Sequence, residues 1–360
     1  VLFVENTGVR SLSFKKDFSR IIYRIKSLFA SSKGFTKISN NITKFTPLFF
    51  PFFTYSKFSL KLNSLLISNL IMYWLRYRKF SSPVIISFLS TPLAQQLVKN
   101  INPRANIFYF IDNMAESSPA AVKLKNWENI FLKNSDLVMC TSKKILEISK
   151  VFNKNAIYAP SGVSFDKFQD VLENDTIIKP LDLPKKGKII GFIGGIRNIL
   201  DKKIILKICD EFTENNVVLI GPIYDNFKIE ERKNLFIIGS KNHDEIPRYL
   251  KWFDIGLIPY IKNNFTDCIY PTKINEYLSM NIPVVSSNIS EVVNFNKDHS
   301  NVVKVCNTDN DFIKEIHFLM NRNKTTINKK FLDVAKSNSW KKRFEFMSFN
   351  LEKIIFEKEN

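Results

Sequence analysis

Histidine occurs only three times in this chain, at His243, His299 and His317, and none makes a metal-binding or triad pattern. Hydrolysis by a histidine base is thereby disfavoured. Cysteine is equally sparse. Cys140, Cys209, Cys268 and Cys306 are scattered, with no Cys-x-x-Cys pair and no histidine at metal spacing. Neither a zinc site nor a disulfide framework is indicated, which fits a reducing cytoplasm, and no metal or other cofactor is expected. Long apolar runs are missing too. The longest, Leu65 to Leu75, is broken by Ser68 and Asn69, and a membrane span needs about 20 apolar residues. Acidic residues are nearly absent from one end. Residues 1–104 hold 16 Lys and Arg against only Glu5 and Asp17, whereas residues 105–360 hold 37 against 32. No signal peptide is visible, and a chain that opens on Val1 is expected to have its natural start upstream.

What is present points to two packed units. The 360 residues are enough for about two domains, and a 45% hydrophobic content supplies their cores. Short Val- and Ile-rich runs alternate with helical stretches. In the first half they are Val1–Val4, Val84–Phe88, Asn106–Ile111, Leu137–Cys140 and Ala156–Ala159. In the second they are Lys188–Ile193, Val217–Ile220, Leu235–Ile238, Ile255–Ile258, Pro283–Ser286 and Val302–Val305. Continuous apolar runs suit parallel strands buried on both faces, and strand–helix alternation twice over predicts two doubly wound α/β domains. The boundary is expected at the junction of residues 1–168 and 169–339, because a polar segment with Pro180 and Pro184 precedes a fresh strand at Lys188. Residues 340–358 read as an amphipathic helix crossing back to the first domain.

The most informative stretch is Pro271–Val285. Pro271 suits a first helical turn, and Thr272 and Lys273 follow where backbone N–H groups are free and the dipole is positive. Such an end accepts phosphate. Glu276, three residues on, shares the face of Lys273 and can accept two hydrogen bonds from a ribose diol. Lysine for diphosphate and glutamate for ribose read as a nucleotide-sugar cradle; the bland alternative is an amphipathic helix with surface charges. Gly191-Phe-Ile-Gly194-Gly195-Ile196-Arg197 follows a strand, so its backbone can approach a ligand and Arg197 can meet phosphate or sugar. It is not the Gly-x-Gly-x-x-Gly of dinucleotide binders. Thr266 and Asp267, in the loop before the Lys273 helix, are candidates for a sugar contact. In the first half, Asp112 ends a strand and is a candidate base, with Glu116 four residues on as an acceptor contact. Gly8 allows a tight turn and Arg10 can hold an anionic acceptor. Phe45–Lys61 mixes aromatics with lysines, as membrane-interface segments do, or simply packs a core.

Together these residues resemble the group 1 (family 4) retaining glycosyltransferases, of the GT-B fold. Asn134–Ser142, Pro160–Phe168, Lys251–Pro259 and Pro271–Val285 carry the likeness, and Val1–Arg10 resembles the bacterial polysaccharide or teichuronic-acid branch. The resemblance implies two Rossmann-like domains facing across a cleft. It implies a UDP- or GDP-linked donor on the second domain, bound by Lys273, Glu276, Gly194, Gly195, Arg197, Thr272 and Asp267. It implies a lipid-linked or oligosaccharide acceptor on the first. The chain departs from the family pattern in several places. Cys268 stands where a donor-sugar glutamate is usual, Ser164 replaces an aspartate, Asn113 replaces a carboxylate, and the usual Arg…Lys diphosphate pair is best matched by Arg197 with Lys202 or Lys203. The basic first domain is expected to face an anionic membrane surface at the inner face of the cell membrane. A nucleotide-sugar epimerase of the same fold, a non-catalytic nucleotide-sugar binder and a nucleic-acid-binding protein are the rival readings. The last lacks any recognisable module, so no nucleic acid is expected as a partner.

Overall fold

The computed structural model describes residues 1–5, 22, 34–47, 56–117, 119–224, 226–322 and 326–359. All eleven expected strands form within a residue or two of the expected bounds. In the first half they are β1 (Leu2–Val4), β4 (Val84–Ser87), β5 (Ala105–Phe110), β6 (Leu137–Cys140) and β7 (Ala156–Tyr158). Two more, β2 (Phe35–Lys37) and β3 (Thr43–Phe45), were not legible, because their Thr and Lys residues leave each strand only one apolar residue. β1 and β3 pair in parallel and β2 closes that sheet antiparallel, while β4-β5-β6-β7 make a parallel sheet in chain order.

Helices α1 (Lys57–Tyr77), α2 (Pro92–Ile101), α3 (Lys125–Asn134) and α4 (Lys143–Lys150) accompany these strands. α1 and α2 pack on each other, and Ser56, Thr91 and Ser142 cap α1, α2 and α4 by accepting from the backbone N–H three residues on. Phe45 is fully buried and stacks on Phe35 at 4.4 Å between centroids. The Phe45–Lys61 stretch is therefore not one interfacial segment: it starts in a core strand and ends in α1, and residues 48–55 lie outside the described residues.

The second half builds one six-stranded parallel sheet in the order β10-β9-β8-β11-β12-β13. Its strands are β8 (Ile189–Ile193), β9 (Asn216–Ile220), β10 (Leu235–Gly239), β11 (Ile255–Ile258), β12 (Val284–Ser287) and β13 (Val303–Cys306). Around it lie α5 (Phe165–Glu173), α6 (Lys202–Glu211), α7 (Ile246–Leu250), α8 (Lys273–Ser279), α9 (Ser290–Asp298), α10 (Asp309–Met320) and α11 (Lys329–Ser337). Phe168 of α5 is fully buried in this second core. The strand order reverses between β8 and β11, so a crevice opens at their carboxyl ends, where doubly wound sheets bind ligands.

That crevice has a local cause. β8 and β11 pair only at Ile190–Ile255 and Gly191–Gly256. A side chain at either glycine would collide with a ring, Phe253 at Gly191 and Tyr277 at Gly256. Tyr277, fully buried on α8, places its hydroxyl where the two strands part and accepts the N–H of Ile193 at 3.0 Å. Burial pushes this phenol far above its ordinary pKa, so it stays neutral.

The chain crosses between the two halves twice. Val163 on the way out accepts from Trp340 N–H and donates to the carbonyl of Asn338 on the way back. A Cβ on Gly162 would lie 2.7 Å from Trp340 N. The last helix, α12 (Trp340–Glu359), then buries Met347 and Ile354 against the β5–β6 sheet and pairs Lys358 with Asp136 and Glu359 with Arg104.

Removing the Tyr277 hydroxyl would leave a buried amide without a partner. Tyr277→Phe is expected to lower unfolding free energy by about 1–3 kcal/mol, the usual cost of an orphaned buried donor. Urea denaturation reads this, and an unchanged midpoint would show that the hydroxyl does not tie the strands.

Candidate functional site

Four elements converge on the crevice: the turn after β8, the residue pair after β11, the turn after β9 and the first turn of α8. Gly194 leaves β8 at φ +132°, and Gly221 leaves β9 at φ +151°. A Cβ on Gly221 would meet the Gly194 carbonyl oxygen at 1.9 Å, so only glycine allows these turns to touch. Beside them, Lys273 is 8% exposed. Its ammonium lies 2.6 Å from the Tyr260 hydroxyl, 5.1 Å from the Phe192 ring centroid and 4.9 Å from the Tyr260 ring. A Cβ at Gly194 would come 3.3 Å from Lys273 Cε, so the lysine lies along the glycine turn. Among the described residues no carboxylate pairs with Lys273. A buried ammonium held by aromatic faces and a phenol is under-compensated, and an anion is its natural complement.

Glu276, one turn along α8, is half-buried and meets His243 at 3.1 Å (Nε2 to Oε1). Arg197 lies over the Tyr224 ring at 4.8 Å, beside Gly195. Its charge reaches the first domain. Burial raises the Asp112 carboxyl above its usual range, and the opposing influence is Arg197. Asp112 of the first domain is thus within electrostatic reach of Arg197 of the second. Asp112 also shares a small pocket with Thr91, Phe110, Met114 and Glu128. Glu128 is buried, accepts from Ala115 N–H at 3.2 Å, and is likewise raised by burial.

The other expected residues are placed differently. Lys203 lies 3.6 Å from Asp309 of α10, and Lys202 lies over the ring of Phe227. Lys273 is the cation beside the glycine turn. Thr266 is fully buried and donates to its own loop at Ile261 O, 2.6 Å away, rather than reaching a sugar. Asp267 accepts from Ser290 N–H at 2.8 Å and so caps α9, a structural task in place of the expected sugar contact. Thr272 is exposed and makes no side-chain cap. Glu116 is exposed at the end of the Met114–Glu116 turn. Gly8 and Arg10 lie outside the described residues. Cys268, with the expected glutamate missing, is buried against Phe108 and Phe110 of the first domain and interacts with Asn113. Its thiol is pushed up to about 11 by burial. His243, Tyr260, Phe192, Tyr224 and Glu128 were invisible as site residues, since no sequence pattern joins them to Lys273, Arg197 or Asp112.

Comparisons with known proteins bear on the fold and on residues 187–322. Residues 187–322 match the family model described as "Glycosyl transferases group 1". A stretch of 120 residues is 28% identical to the Bacillus subtilis (strain 168) protein named as the teichuronic acid biosynthesis glycosyltransferase TuaH, covering 32% of this chain and 30% of that protein. The match thus spans under a third of the curated relative. Among solved structures, sucrose-phosphate synthase from Thermosynechococcus elongatus superposes with a TM-score of 0.67 at 11% identity, covering 99% of both chains. A glycosyltransferase from Rickettsia africae gives 0.66 at 15% identity over 98% of both. Anabaena HepE, solved with UDP and glucose, gives 0.62 at 11% identity over 98% of both. These likenesses establish the fold as GT-B, two parallel-sheet Rossmann-like domains.

The raised carboxyl of Asp112 has a thermodynamic consequence. A carboxyl raised on folding costs stability once the pH exceeds its unfolded value, and costs nothing where both states are protonated. Asp112→Asn is therefore expected to raise the melting temperature at pH 7.5, with the gain shrinking as pH falls toward 4. A gain that is equal at both pH values would place Asp112 in solvent.

Proposed function

We propose, from the match of residues 187–322 to the group 1 glycosyltransferase model, that the protein moves a sugar from a nucleotide-sugar donor, UDP- or GDP-linked, to a polysaccharide or lipid-linked acceptor with retention at the anomeric carbon. The single observation that carries the donor reading is Lys273: a buried ammonium at the switch point of the sheet, with no carboxylate partner among the described residues. A diphosphate supplies the missing charge. In this reading Lys273 and Arg197 stabilise the charge that develops on the leaving diphosphate, and Glu276 accepts from the ribose. No metal is assigned a role. Asp112, across the cleft beside Arg197, is the candidate acceptor-side base, with Glu128 behind it. The UDP complex of Anabaena HepE and the teichuronic acid assignment of TuaH support a UDP-linked donor and a cell-envelope polysaccharide acceptor.

The acceptor side favours an anionic membrane surface as partner. Helix α1 is apolar on its outer face as well as its inner one. Its buried face carries Ile67, Ile71, Trp74 and Leu75 beside Ser59, Asn63, Ser64 and Ser68. Its exposed face carries Phe58, Leu62, Leu65, Leu66, Tyr73 and Tyr77. Lys57, Lys61 and Arg76 are exposed on the same helix, Arg78 and Lys79 follow it, and no acidic residue occurs in it. Apolar residues at helical spacing ringed only by cations suit an anionic bilayer, where each basic residue near the surface contributes about 1 kcal/mol. Among the described residues no helix is long and apolar enough to cross a membrane.

Calorimetry tests the donor site. Lys273→Ala and Glu276→Ala are each expected to weaken UDP or GDP binding by about tenfold or more, since a charge-assisted hydrogen bond contributes about 1.5–3 kcal/mol. The fold, read by circular dichroism, should be intact, and wild-type affinity should be unchanged by EDTA. Equal affinity in wild type and both variants would remove the cradle, and loss with EDTA restored by Mg²⁺ would bring in a metal.

Vesicle co-sedimentation tests the surface. Wild type should pellet with anionic but not neutral vesicles at low salt, and less at 0.5 M salt, because screening acts within about 10 Å already at 0.1 M. Leu62→Glu with Leu66→Glu should abolish pelleting. Equal pelleting with both lipids, or none with anionic vesicles, would remove the membrane from this reading.

A further inference from the structure

We propose that His243 is a positioning residue of the donor site, which holds the Glu276 carboxylate in place and makes nucleotide-sugar affinity depend on pH. The inference rests on the donor reading above and adds a residue that neither family pattern nor spacing supplies. His243 lies in the loop after β10, 33 positions before Glu276 on α8, and the fold brings them within 3.1 Å. Glu276 Oε1 receives the Nε2–H of His243, and Oε2 has no partner among the described residues. A carboxylate pinned through one oxygen and open at the other is ready to accept a sugar hydroxyl, without first losing the rotamer freedom of a long side chain.

The histidine is held but not enclosed. Its side chain is 65% exposed while that of Glu276 is 14% exposed. The Phe168 ring stands edge-on to the imidazole at 6.4 Å. The charged groups that face it come from three elements: Glu276 on α8, Lys167 on α5 and Asp244 on its own loop, the last two paired with each other. The pairing with Glu276 outweighs burial, so His243 stays protonated to a higher pH than a free imidazole. Lys273 is one turn from Glu276 on the same helix, so an imidazolium here adds positive charge beside the proposed diphosphate. Donor affinity is therefore highest below the His243 pKa and is lost in part as pH rises through it. Bound donor, in turn, raises that pKa further, as linkage requires.

Two measurements separate this inference from the donor reading. The first needs no nucleotide. With only three histidines in the chain, NMR titration of the His243 ring should show a raised midpoint that returns to the ordinary value in Glu276→Gln; an ordinary midpoint in the wild type would overturn the pairing. The second is calorimetric titration with UDP-glucose and GDP-mannose, whose diphosphate diesters do not titrate between pH 5.5 and 8.5. Wild-type affinity should fall about fivefold across that range, the order expected for one charge at partly screened distance. His243→Gln, which keeps an N–H donor without the charge, should be flat at the wild-type high-pH level. His243→Ala should be flat and weaker by about a further fivefold, roughly 1 kcal/mol for a lost positioning hydrogen bond. A wild-type profile as flat as that of His243→Gln, or an alanine variant that binds like wild type, would overturn the role. If Lys273→Ala still loses binding in that case, the donor reading survives it. If the wild type binds neither nucleotide sugar at any pH, both readings fall together.

Discussion

The hydroxyl of Tyr277 is the contact on which the site depends. Two strands that part must leave main-chain groups unpaired, and here the phenol accepts the orphaned N–H of Ile193. At the last paired position, Gly191 with Gly256, the missing side chains leave room for the rings of Phe253 and Tyr277. Since Tyr277 follows Glu276 and lies a turn after Lys273, the anchor that fixes α8 also sets where both polar side chains emerge. Stability and binding geometry are thus linked through one short helix.

A second constraint joins the halves. Glu291 of α9 is fully buried at the interdomain contact, where Oε1 accepts from the Tyr158 hydroxyl and Oε2 from Lys143 N–H at the start of α4. Its carboxyl is raised by burial, against the hydrogen bonds that favour its charge. Lys143 also reaches Asp298 at the far end of α9. Together with Cys268 in one cluster with Phe108 and Phe110, and the Val163–Trp340 crossing, these contacts hold the two halves together and keep Arg197 within electrostatic reach of Asp112. Cys268, where the resembled family usually has a glutamate, is itself part of the interdomain packing.

The charges in the cleft follow one logic. Lys273 is buried without a carboxylate, and Arg197 is shared between an aromatic ring and a distant aspartate. Several other cations are matched: Lys207 and Lys203 to Asp309, Arg232 to Asp210, Lys241 to Asp182. At the switch point of the sheet, by contrast, a buried ammonium stands without a carboxylate among the described residues.

The amino-acid sequence by itself determined the strand–helix alternation, the eleven strands with apolar runs and the Lys273–Glu276 spacing. These are local properties, set by apolar runs, by turn residues and by the 3.6-residue helical repeat. It also carried the charge asymmetry, which is a matter of counting. Only the tertiary structure decided which polar residues work on the fold. Asp267 caps a helix 23 positions away and Thr266 closes its own loop, while Lys203 turns to Asp309. It alone brought His243 to Glu276 and Arg197 toward Asp112, because sheet order and domain packing join residues whose separation in the chain carries no periodic signal. It alone exposed the second, outward apolar face of α1, since the run Leu65–Leu75 reads as core until the neighbours that bury Ile67, Ile71 and Trp74 are known.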